Sequence, residues 1–170
     1  IVVVLLYSSE FLVIARMVYW AALGIFFKAL SWSIAFVFLA KGEGKLYFWN
    51  EFGGSMYMLV FGIAGFRLNG LNGLGFAFMI SYIVYLSQVF LIAKVKYKFS
   101  FQSSSIRIFL IQFLLALLTF VSVNFIDNHW RYLPGILLIG ISSWYSFREL
   151  EKRIGVKEIA QNFMRKIKLK

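Results

Sequence analysis

Long apolar runs alternate with short polar breaks from one end of the chain to the other. The longest run, at 17–40, reads MVYWAALGIFFKALSWSIAFVFLA, with one formal charge, Lys28, near its middle. As a helix rising about 1.5 Å per residue it would measure roughly 36 Å, enough to cross a hydrocarbon core of about 30 Å with some tilt. KGEGK at 41–45 breaks the run with two glycines. Four further runs follow at about 46–66, 74–93, 106–126 and 132–147. They are separated by RLNGLNG (67–73), KVKYKFSFQSSS (94–105) and DNHWR (127–131). Pro134 falls near the start of the last run, where a missing N–H costs little. The opening IVVVLLY (1–7) has no initiator Met and no basic leader, so it is read as the tail of another span rather than a signal peptide. Residues 8–16 then form a short connection. The pattern predicts an all-α, polytopic membrane bundle over 1–147, with about five full spans and the end of a sixth. A basic tail follows at 148–170, and the whole is expected to be the C-terminal part of a longer transporter-like chain.

Composition supports a bilayer as the solvent. The chain has 170 residues, 61% of them hydrophobic and 15% charged, where ordinary soluble domains carry about a quarter charged. Mean hydropathy is +0.80. The formal net charge of +11 could suggest nucleic acid. The basic residues, however, lie between and after the apolar runs, which reads as membrane topology and contact with lipid headgroups. Cysteine is absent, which excludes disulfides and thiolate chemistry.

Charge then orients the spans. With five crossings, one side receives Lys41, Lys45, Lys94, Lys96, Lys98, Arg107 and the eight basic residues from Arg148 onward, 14 of the 18 in the chain. The other side receives Arg16, Arg67 and Arg131. The positive-inside rule makes the richer side cytoplasmic, together with the C-terminus. Tyr47, Trp49, Tyr97, Trp144 and Tyr145 then fall at the cytoplasmic boundary, and Trp130 and Tyr132 at the external one. Trp32 fits neither belt and lies one turn from Lys28.

Candidate chemistry centres on Lys28. At 100° per residue, Ala21, Gly24, Ser31, Trp32 and Ala35 share its side of the helix. Leu23, Phe26, Leu30 and Val37 lie opposite, a bulky face expected to meet lipid while the small face meets other helices. Lys28 either offers a cation to an anionic substrate in a central cavity, or snorkels, or pairs with a carboxylate elsewhere. Two polar stripes accompany it: Ala77, Ser81, Tyr85 and Gln88 on the third span, and Gln112, Ala116, Thr119 and Val123 on the fourth. Each serves interhelical hydrogen bonding or lines a hydrophilic path. Glu51 falls within about the first turn of its span, so no mid-membrane carboxylate relay is visible. His129 is the sole histidine, and no ligand spacing points to a metal. The glycines of RLNGLNGLG follow a membrane helix rather than a strand and suggest no nucleotide loop. In the tail, Val156, Ile159, Ala160, Phe163 and Ile167 recur at helical spacing, as in an amphipathic helix on the cytoplasmic leaflet, though a solvated basic tail fits too.

The run GIFFKALSWSIAFVFLAKGEGKLYFWNEF, followed by GLNGLGFAFMISYIVY, resembles the C-terminal half of bacterial polysaccharide flippases. These are the O-antigen or lipid-linked oligosaccharide translocases of the multidrug/oligosaccharidyl-lipid/polysaccharide exporter superfamily. The resemblance implies two six-helix lobes, alternating access and a central cationic cavity, with this chain covering the end of helix seven through helix twelve. It implies an undecaprenyl-pyrophosphate-linked oligosaccharide as substrate, translocated unchanged across the bacterial inner membrane. The expected partners are that substrate, membrane lipids and an N-terminal half of the same transporter. No nucleic acid, cofactor, metal or catalytic residue is expected. Arg16 and Lys28 are the expected cavity cations, with Ser31, Trp32, Ser81, Tyr85 and Gln88 as candidate lining. A drug-type antiporter is the first rival and would want a membrane carboxylate. A membrane-embedded glycosyltransferase or polymerase is the second, and would want acidic groups on a large external loop.

Overall fold

The computed structural model describes residues 12–125 and 132–154, with side chains for 14–122 and 134–152. All the regular structure among these residues is helical: α1 (Leu12–Ala40), α2 (Gly44–Tyr97), α3 (Ser103–Phe125) and α4 (Tyr132–Ile154). The expected partial span at 1–7, the DNHWR connection with His129, and the tail beyond 154 lie outside the described residues. Two compact units divide the chain, 1–113 and 114–170. The boundary falls within α3.

The three breaks within the described residues fall where the sequence placed them. α1 ends in a Schellman closure: Glu43 N–H donates to the Phe38 carbonyl and Gly42 N–H to that of Leu39, at 2.9 Å each. Gly42 supplies the positive φ of +76° that this closure needs. Lys96 then pairs with Glu43 at 2.6 Å, tying the far end of α2 to this loop and holding the Glu43 carboxyl below the ordinary range.

α2 is continuous for 54 residues except at Asn69 and Gly70, which leave helical geometry. Gly70 has φ +53° and ψ −136°, a conformation that side-chain-bearing residues rarely adopt. The helix folds back there into two antiparallel arms, 44–68 and 71–97. Of the two Asn-Gly pairs in the predicted turn, only the first makes it. Gly73 is already helical and serves close packing instead. A β-carbon on it would lie 2.6 Å from the carbonyl carbon of Gly65 on the other arm, and nearer still to the oxygen. Gly24 works the same way between helices: a β-carbon there would meet Met79 Cα of the second arm at 3.0 Å. Small residues of this kind let membrane helices approach closely.

The core of this unit joins α1 to the second arm. Ile34, Ala35 and Phe38 pack with Tyr85, Val89 and Ala93, all nearly inaccessible. Of the small face expected on α1, Gly24, Ser31 and Ala35 are buried, while Trp32 is 42% exposed; Ile34 and Phe38, both bulky, share the packed side. The bulky face behaves otherwise. Leu23 is buried, and Phe26 meets the rings of Phe109 and Phe113 on α3 at 6.4 and 5.9 Å. Bulky apolar side chains suit a lipid surface and a helix contact equally, because a bilayer is as apolar as leucine. Sequence alone does not separate the two.

Three of the described helices are long and apolar enough to cross a membrane: α1, α2 and α3. Each arm of α2 has the length for a crossing of its own, about 37 and 40 Å. In the second unit, α4 is not among them. It covers the span expected at 132–147 and runs on through Arg148, Glu149, Glu151 and Lys152, with Lys152 paired to Glu149 at 2.9 Å.

Candidate functional site

The two arms of α2 face each other through a ladder of polar side chains. On the first arm, Asn50, Glu51, Gly53, Gly54 and Tyr57 recur at helical spacing; on the second, Ser81, Tyr85 and Gln88 do. Gln88 Nε2 donates to Asn50 Oδ1 at 2.8 Å, and Tyr57 OH donates to Gln88 Oε1 at 2.5 Å. Asn50, 2% exposed, spends its own amide on the Leu46 carbonyl at 2.8 Å. Tyr85 OH donates to the Glu51 carboxylate. Ser81 Oγ donates to the Ala77 carbonyl at 2.7 Å and lies 3.4 Å from that of Tyr57. Glycines make the ladder possible. A β-carbon at Gly53 would touch the Gln88 amide at 3.4 Å, and one at Gly54 the Tyr85 ring at 3.0 Å.

Beside the ladder lies a cavity of about 230 Å³, lined by Trp32, Glu51, Gly54, Ser55, Met58, Ser81, Tyr82 and Tyr85. Lys28 reaches its aromatic wall. The ammonium stands 4.5 Å from the centre of the Trp32 ring, 5.5 Å from Tyr82 and 6.0 Å from Phe78. Such contacts contribute roughly 0.5–2 kcal/mol each, most where water is excluded. Among the described residues Lys28 has no carboxylate partner within ion-pair distance. Its charge is held by ring faces, which stabilise a cation without neutralising it.

The seven positions singled out from sequence separate accordingly. Lys28, Trp32, Ser81 and Tyr85 come together at the cavity. Ser31 is buried beside Lys28, but its hydroxyl donates to the Lys28 carbonyl at 2.8 Å. Gln88 is taken up by the ladder. Arg16 is exposed near the start of α1, 12 residues or about 18 Å along the helix from Lys28. On α3, Thr119 donates to the Leu115 carbonyl of its own helix at 2.9 Å.

Three residues were missed. Phe78 and Tyr82 complete the seat of Lys28, and their i, i+4 spacing is legible, but the register that sets them opposite Lys28 is not. Glu51, by the sequence within about the first turn of its span, is the third. It sits seven residues into α2, about 10 Å from the helix start, and it lines the cavity. The visible signal was its place beside Asn50 and Gly54 on one face.

No protein-family model, curated protein or solved structure matches the chain.

Proposed function

We propose that this chain is one lobe of a polytopic helical transporter, a flippase that moves undecaprenyl-pyrophosphate-linked oligosaccharide units across the bacterial cytoplasmic membrane. The observation that carries it is Lys28, a cation in the middle of an apolar helix, seated on three rings beside a cavity and, among the described residues, with no carboxylate within ion-pair distance. A pyrophosphate headgroup must cross a medium that disfavours its charge, and an un-neutralised ammonium beside a polar opening answers that need. Lysine suits a transient contact: it is a point charge on a flexible stem rather than a rigid fork. The resemblance of residues 24–52 and 70–85 to polysaccharide flippases points the same way. In this proposal the two arms of α2 count as separate crossings beside α1, α3 and α4, giving five. The C-terminus is cytoplasmic, and the partner lobe precedes this one.

One observation favours a second function. Glu51 is the carboxylate that a cation-coupled small-molecule antiporter would want, and it lines the same cavity. Deletion of the gene separates the two. A flippase mutant accumulates lipid-linked repeat units on the cytoplasmic leaflet and loses surface polysaccharide. An antiporter mutant keeps its polysaccharide and becomes sensitive to small organic cations. Failure to make the repeat unit at all would instead indicate an enzyme.

A further inference from the structure

A second, larger cavity of about 570 Å³ lies away from Lys28, on the other side of α1. It is walled by Leu30 and Ile34 of α1, Phe99 and Phe101 of the 98–102 connection, and Ile106 and Phe109 of α3. Its size is that of a small-ligand site, and its lining is mostly apolar. Lys98 shapes it: a left-handed backbone, φ +52°, turns the chain sharply at the end of α2. Phe101 then stacks on Phe90 at 5.4 Å, with Phe99 edge-on to Phe101 at 5.2 Å. Ser33 and Ser105 are the polar residues of the wall, and Ser33 is satisfied by the Ala29 carbonyl at 2.8 Å.

The residues flanking its lining in sequence are cationic. Lys94 and Lys98 precede its Phe99–Phe101 wall, and Arg107 follows Ile106. All three are exposed and have no carboxylate partner among the described residues, whereas Lys96 is paired with Glu43. The first turn of α3 carries no acidic residue, so its positive dipole end adds to the field. An apolar slot beside membrane-crossing helices offers water too few partners and loses dispersion contacts when empty. Basic clusters at the end of such helices attract anionic headgroups.

We infer that this cavity is a binding site for an acidic phospholipid of the surrounding leaflet, one acyl chain in the slot and the phosphate between Lys98 and Arg107. It is distinct from the Lys28 cavity and does not depend on what is transported.

The test is lipid-dependent thermal stability of the protein produced from its whole gene and purified in detergent. Phosphatidylglycerol is titrated against phosphatidylcholine with the same acyl chains. Half-saturation is expected at roughly tenfold less phosphatidylglycerol, a preference that collapses at 1 M salt, where screening reaches about 3 Å. Lys98→Gln with Arg107→Gln should remove the preference, and Ser33→Leu, which fills the slot, should weaken both lipids. Equal binding of the two lipids by the unaltered protein overturns the assignment, as does a preference that survives high salt or the double substitution. Polyprenyl phosphate binding more tightly than phosphatidylglycerol, and being lost in Ser33→Leu, would give the slot to a transported lipid instead.

Discussion

Substituting Gly73 by alanine tests the closest contact in the fold. The added methyl would lie 2.6 Å from the Gly65 carbonyl carbon and 3.2 Å from Asn69 Cβ, where ordinary contact begins at 3.4 Å. The obstruction at Gly65 is backbone, so no rotamer change relieves it. The arms must part by about 1 Å, close to their hinge at 69–70. That movement strains the Ser81–Tyr57 contact, already at 3.4 Å. Overpacking of this kind costs about 1–3 kcal/mol, and the helical preference of alanine over glycine returns up to about 1. Gly73→Ala is therefore expected to destabilise by roughly 1–2 kcal/mol. Gly62 supplies the control on the same hairpin. A β-carbon there meets only a Leu74 methyl at 3.6 Å, so Gly62→Ala should be neutral or slightly stabilising. Both are read from equilibrium unfolding of the purified protein in mixed micelles, followed by circular dichroism. If Gly73→Ala is as stable as Gly62→Ala, the two arms are not in backbone contact and the hairpin geometry is wrong.

Two more predictions concern the same unit. Gln88→Leu strands Asn50 and the Tyr57 hydroxyl in an apolar setting, so it should cost about 1–3 kcal/mol, with part recovered in Asn50→Leu/Gln88→Leu; an unaffected midpoint for Gln88→Leu would show the ladder to be energetically idle. In the cysteine-free chain, cysteines at Gly42 and Ser103 should resist an impermeant thiol reagent on intact cells and one at Asn72 should react. Labelling at Ser103, or none at Asn72 until permeabilisation, would contradict the charge-derived orientation.

Much of the helix order was legible because the breakers are chemically loud. KGEGK, the Asn69-Gly70 pair and the basic-to-serine stretch before α3 all end helices where the pattern put them. The use of Gly73 was less visible, since an Asn-Gly pair signals a turn whether or not the chain needs one there. The Ser81, Tyr85 and Gln88 stripe was legible as a face, and only the fold shows how it divides between ladder and cavity. The role of Glu51 in the ladder was not legible, because its partner Tyr85 lies 34 residues away. The aromatic seat of Lys28 depends on the interhelical register, which no single-helix pattern encodes.

Lys28 itself is best tested by complementation of surface polysaccharide in a deletion strain, measured beside the amount of protein in the membrane. Lys28→Ala in the protein produced from its whole gene is expected to reach the membrane normally and to lower translocation about tenfold or more, equivalent to some 1.4 kcal/mol of lost stabilisation. Lys28→Arg should keep part of the activity, because charge matters more here than fork geometry. Full complementation by Lys28→Ala at normal protein level would contradict a transport role for this cation and leave it a lysine resting on three rings.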